Sequence, residues 1–93
     1  MTELTNKKLK ILPEVHSQEV GGETVLLDLQ SESYFGLDEV GTRVWQLLQD
    51  SRDMEFIFKT ILNEYDVEEE QLRKDLEDLV EKLVDAGLIS IED

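Results

Sequence analysis

The chain of 93 residues has no cysteine, one proline and one histidine. Without thiols there is no disulfide framework, no thiolate metal site and no thiol nucleophile. The lone histidine, His16, has no cluster of His, Asp or Glu at ligand spacing around it, so it reads as a surface residue and not as a metal ligand or proton shuttle. Bases are scarce as well: nine Lys and Arg stand against twenty-three Asp and Glu, a net charge of −14. Nucleic-acid binding depends on clustered cations that displace phosphate counterions, and this balance argues against it. No apolar run approaches the roughly 20 residues that span a bilayer. Nor does the N-terminal Met1-Thr2-Glu3-Leu4-Thr5-Asn6-Lys7-Lys8 have the apolar stretch of a signal peptide, so a cytoplasmic protein with no membrane contact is expected. Catalytic signatures are missing too: there is no G-x-S-x-G elbow, phosphate-cradling glycine loop or H-E-x-x-H pair. A chain this short builds one modest core with little room for a deep cavity beside it. The expectation is a non-enzyme with no catalytic residues, no metal and no cofactor.

What the chain does have is the composition of a folded domain, with 40% hydrophobic and 34% charged residues. Twelve of the acids and three of the bases lie from Glu64 onward. That asymmetry reads as a solvated helix face or as a surface that attracts an electropositive partner.

Residues 1–12 are polar and weakly basic and read as a flexible N-terminal arm, leaving 13–93 as the domain. Val15 to Val20 reads as extended. Gly21-Gly22 is a two-residue hairpin signal, because both positions tolerate positive φ. In the next strand Val25, Leu27 and Leu29 alternate with Leu26 and Asp28, and the first set is expected to face the core. Gln30-Ser31-Glu32-Ser33 supplies turn chemistry, and Tyr34-Phe35-Gly36 reads as a third strand.

Asp38 then caps a helix expected over 39–49, and Asp53 caps a second whose buried stripe is Ile57, Phe58, Ile61, Leu62 and Tyr65. Asp66 and Glu69 fit a capping box for a third helix, which carries Leu72, Leu76, Leu79, Val80, Leu83 and Val84 at helical spacing and ends at Gly87. Leu88-Ile89-Ser90-Ile91 reads as an apolar tail folded back on the core. Together these elements predict an α+β fold of winged helix-turn-helix type, an N-terminal three-stranded antiparallel sheet followed by three helices.

With those elements placed, the chain resembles the PqqD-like family of peptide-recognition domains. The resemblance rests on Gly22-Glu23-Thr24-Val25-Leu26-Leu27-Asp28, Tyr34-Phe35-Gly36-Leu37-Asp38-Glu39-Val40-Gly41, Val44-Trp45, Leu62-Asn63-Glu64-Tyr65-Asp66-Val67, Asp75 and Gly87-Leu88-Ile89. It implies a RiPP recognition element, a protein that binds the leader of a ribosomally made precursor peptide and serves a maturation enzyme such as a leader peptidase or radical SAM enzyme. It also implies strand addition on the third strand, facing the third helix. Peptide contacts would then come from Ser33, Tyr34, Phe35 and Gly36 on the strand and from Leu72, Asp75, Leu76 and Leu79 on the helix. On that reading a proline at Phe35 removes a donor from the open edge.

Members from pyrroloquinoline quinone synthesis carry a Pro-Glu-Arg segment where this chain has Asp28-Leu29-Gln30-Ser31-Glu32. The Ser33-Tyr34-Phe35-Gly36-Leu37 form is more similar to the generic discrete members, including those beside lasso-peptide leader peptidases and other maturases. Two other readings are a structural or regulatory subunit of a complex and a winged-helix transcription regulator. The acidic third helix counts against the second of these.

Overall fold

A computed structural model of the chain describes residues 8–92. Two strands, β2 (Val15–Val20) and β3 (Glu23–Asp28), meet at Gly21 and Gly22, whose φ angles of 61° and 86° suit a tight turn that follows the twist of the strands. After a turn at 29–32 comes β4 (Ser33–Leu37), and the three strands form an antiparallel sheet in the order β2-β3-β4. Three helices follow: α1 (Glu39–Asp50), α2 (Met54–Glu64) and α3 (Glu69–Asp85). The α+β architecture is as expected from the sequence, with the strands leading and the helices after them.

Local chemistry sets the helix ends. The Asp38 carboxylate accepts from the Gly41 N–H at 2.8 Å, and that of Asp53 accepts from the Glu55 N–H at 3.0 Å. Each satisfies one of the donors that a helix start leaves unpaired. At the end of α3, Gly87 adopts a φ of 76°. There the Leu88 N–H reaches the Leu83 carbonyl and the Gly87 N–H that of Val84, both at 3.0 Å, which is the Schellman arrangement. The start of α3 differs from expectation. Glu68, and not Asp66, occupies the cap position, and no side chain bonds to the first turn there.

The face of β3 is also reversed. Thr24, Leu26 and Asp28 point inward, while Val25, Leu27 and Leu29 are exposed. The alternation itself is as expected, but its phase follows Leu26, which is fully buried and carries Thr24 and Asp28 to the same inner face. Asp28 holds the following turn, accepting from the Gln30 N–H at 3.1 Å and the Ser31 hydroxyl at 2.9 Å. A strand that shows its apolar set outward leaves that set for something else.

Part of the expected arm is structured. Lys8–Ile11 is strand β1, paired antiparallel with β5 (Ile89–Glu92) in a separate two-stranded sheet. The expectation for residues 1–7 lies outside the described residues. Leu9 is fully buried, and its N–H donates to the Arg52 carbonyl at 2.8 Å. Leu26 and Leu37 from the larger sheet, Val44, Trp45 and Leu48 from α1, Ile57 and Ile61 from α2, and Leu72, Leu76, Val80 and Leu83 from α3 complete one core with Leu9, Leu88 and Ile89. Trp45 is buried in that core, on the helix that packs against β3.

Candidate functional site: an open strand edge beside a helix

Among the described residues the strand β4 is the margin of its sheet, bonded to β3 on one side only. Its sequence, Ser-Tyr-Phe-Gly-Leu, has none of the lysines, acids or prolines that usually protect an exposed edge from pairing. Which of its backbone groups are free follows from the ladder. The Leu29 N–H donates to the Glu14 carbonyl, on the side of β2, at 3.2 Å. Backbone groups alternate sides along a strand, so Leu27 and Val25 also address β2, whereas Asp28, Leu26 and Thr24 address β4. Leu26 lies opposite Phe35. Phe35 therefore spends its N–H and C=O on β3, and Tyr34 and Gly36 turn theirs to the open edge. This corrects the expectation that a proline at Phe35 removes an edge donor; there it would break the internal ladder instead.

Between β4 and α3 lies a groove of about 360 Å³. One wall is Phe35, Gly36, Leu37 and the capping Asp38; the other is Asp75, Asp78, Leu79 and Lys82 of α3. Phe35 and Leu79 are half-buried and pack against the core, so each shows an apolar flank to the groove while its base is anchored. Three carboxylates and one ammonium surround this floor, which makes the groove net acidic. Asp75 accepts from Gln71 at 2.9 Å, and Asp38 is engaged as a helix cap.

Of the eight residues expected at the site, Phe35, Gly36, Asp75 and Leu79 line this groove. The other four do not. Leu72 and Leu76 are core residues, turned away from it. Ser33 is exposed opposite Asp28, and Tyr34 projects from the far face of the sheet, where it borders a hollow of about 280 Å³ with His16, Val25 and Leu27. Tyr34 reaches the edge through its backbone alone.

Sequence reasoning missed Leu37, Asp38, Asp78 and Lys82. The signal was available, since Asp75, Asp78, Leu79 and Lys82 are spaced by three, one and three and so share one helix face. The hydrophobic stripe drew attention to the adjacent, buried face instead.

The titratable groups that line the groove are three carboxylates and one ammonium. His16 lies on the far face of the sheet, away from every groove carboxylate. Among the described residues no group of three His, Cys, Asp or Glu comes together as a metal ion requires. A broader depression of about 560 Å³ runs along α2 past Phe56, Lys59 and Asn63, but no strand residue lines it. No described helix is long and apolar enough to cross a membrane.

Two solved structures are similar over nearly the whole chain. TbiB1, determined in complex with the TbiA(beta) leader peptide, is 40% identical, with a TM-score of 0.82 over 87% of this chain and 94% of that one. A lasso peptide synthetase B1, complexed with its leader peptide, is 25% identical, with a TM-score of 0.79 over 89% of this chain and 98% of that one. No curated protein matches. The sequence profile described as coenzyme PQQ synthesis protein D matches residues 23–89, which takes in β3, the open strand, all three helices and hence both walls of the groove. The chain belongs to the PqqD family.

Proposed function

We propose that this chain is a non-catalytic adaptor in the biosynthesis of a ribosomally made, modified peptide, of the lasso type or a related one. It captures the leader of the precursor as an added strand on β4 and delivers the rest to a separate maturation enzyme. The observation that carries this reading is the pair of outward backbone units at Tyr34 and Gly36 beside a groove floored by Phe35 and Leu79. A strand edge supplies affinity through main-chain bonds, and a groove beneath alternate side chains supplies selectivity. That both solved relatives carry a leader peptide supports the same conclusion. The chain's part in the reaction is effective concentration and register, because a held peptide reacts as though tethered to its enzyme. Precursors of this kind are made by ribosomes, which fits a cytoplasmic adaptor.

Regulation of transcription is disfavoured by α3, which would be the DNA-reading helix and carries seven acids against three bases. Titration of the protein with its co-encoded leader peptide tests the proposal. Saturable binding is expected, with Kd in the micromolar range or below and amide perturbations centred on Tyr34 and Gly36. No saturation by about 1 mM, where the binding free energy is only about −4 kcal/mol, overturns it.

A further inference from the structure

We propose that the outer face of the β2–β3–β4 sheet is a second docking surface, which holds the maturation enzyme through a patch on that enzyme that is apolar at its centre and basic at its rim. This rests on the adaptor reading above and adds to it where the enzyme sits. The register puts His16, Leu27 and Tyr34 in one cross-strand row and Gln18, Val25 and Gly36 in the next. All six project from the side of the sheet away from the core. Val25, Leu27 and Tyr34 are exposed by 44%, 36% and 78%, and Val20 and Leu29 extend the patch at 62% and 50%. Single exposed apolar side chains are ordinary, whereas Val25, Leu27 and Tyr34, joined by strand register with Val20 and Leu29 at the ends of the strands, mark an interaction surface.

The surroundings of the patch identify its occupant. Residues 11–42, which contain the whole sheet, include seven acids and no Lys or Arg. Glu23 stands opposite Val20, and Glu32 lies in the turn beside Leu29. A second copy would bring its own Glu23 and Glu32 against this rim, besides a further charge of −14. A basic surface is drawn to it. Strands about 4.8 Å apart and residues rising about 3.3 Å give the face an area of roughly 300 Å². That is well below the roughly 800 Å² per partner of a stable complex, as suits an enzyme that must come and go.

Position adds a further reason. A guest strand on β4 places its own alternate side chains on this same face, next to Tyr34 and Gly36, and so enlarges the patch. The enzyme is then met by a composite of adaptor and peptide, beside the point where the peptide emerges.

The test uses the full chain with Val25→Arg and Leu27→Arg together, and measures binding of the co-encoded leader and of the purified maturation enzyme encoded beside it. The double variant is expected to keep leader Kd within twofold and to weaken enzyme binding at least tenfold. Unchanged enzyme binding overturns the proposal. So does loss of leader affinity in a variant that still melts cooperatively, since the face would then belong to the leader site, and so does a wild-type dimer in sedimentation that the variant abolishes. If the double variant does not fold, Leu27→Gln, at a position already partly exposed, carries the same test with at least a threefold loss expected. Failure of the wild type to bind leader sinks the adaptor reading itself, and is read separately from the enzyme measurement.

Discussion

The two sheets of this protein differ in how much of each is left over. The β1–β5 pair is tied into the body of the protein through both of its strands. Leu9 and Ile89 are buried, Lys8 bridges to Asp53, the Leu12 N–H reaches the Leu88 carbonyl at 3.1 Å, and Arg52 pairs with Glu92. Among the described residues the β2–β3–β4 sheet buries one face and leaves its other face and the β4 edge open. The first joins distant parts of the chain, with Leu9 opposite Ile91, and its return is stability. The second keeps a face and an edge that its own strands do not cover.

The largest effect should therefore come from the closed sheet. Leu9→Ala leaves a cavity at a fully buried site and is expected to cost about 3 kcal/mol. For a domain of this size that lowers Tm by more than about 10 °C, measurable by thermal melting. Leader affinity at a temperature where the variant is folded should stay within twofold. A parallel loss of affinity would break the division between the sheets.

The open sheet is tested at Gly36, where an added Cβ meets nothing within 4 Å and the N–H faces outward by the ladder argument. Gly36→Pro removes that one donor without touching the β3–β4 bonds, and edge positions tolerate proline when the N–H faces solvent. Its leader Kd is expected to rise at least tenfold, or about 1.4 kcal/mol, with little change in melting. Gly36→Ala keeps the donor and should bind within threefold. Equal weakening by both would mean that bulk, and not the hydrogen bond, governs docking at this edge.

How far this division could be read from the sequence depended on whether the deciding forces were local. The capping aspartates Asp38 and Asp53, the Gly21-Gly22 turn and Gly87 act within a few residues, and each specified its element. Strands β1 and β5 have four residues each and no turn between them, so their pairing is decided by burial of Leu9 and Ile89 across the length of the chain. Nothing near either strand signals it.

The orientation of β3 failed for a related reason. Leu26 is flanked at two-residue spacing by Thr24 and Asp28, which a hydropathy pattern assigns to solvent. Asp28 is held inside by the turn it stabilises, a contact visible only once the chain is folded. At the site, the backbone edge was legible and its side-chain partners on α3 only partly. Leu72 and Leu76 belong to the apolar stripe that forms the core, whereas the groove is lined from the neighbouring face by Asp75, Asp78 and Lys82.

The smallest expected effect concerns the helices on which both sheets rest, since α1 packs against β1 as well as β3. Arg43 of α1 holds Glu64 at the end of α2 with two bonds, of 2.8 and 2.7 Å. The hydrogen bond from the guanidinium, and then its charge, hold the Glu64 carboxyl below the usual range for a glutamate. A carboxyl lowered in the folded state favours folding above its unfolded pKa of about 4.3, and that contribution is lost as pH falls through the lower folded value. Both side chains are about one-third exposed at the surface, so the effect of the pair is modest and screened by salt. Melting of the wild type should fall more steeply than that of Glu64→Gln as pH drops from about 5 to about 3. The gap between the two should narrow toward the acid end as the wild-type carboxyl takes up its proton. Both sheets lean on this clamped helix pair, so leader binding and Tm should shift together in Glu64→Gln, and only slightly. A change confined to leader binding would place the clamp on the open side alone and sharpen the contrast between the two sheets.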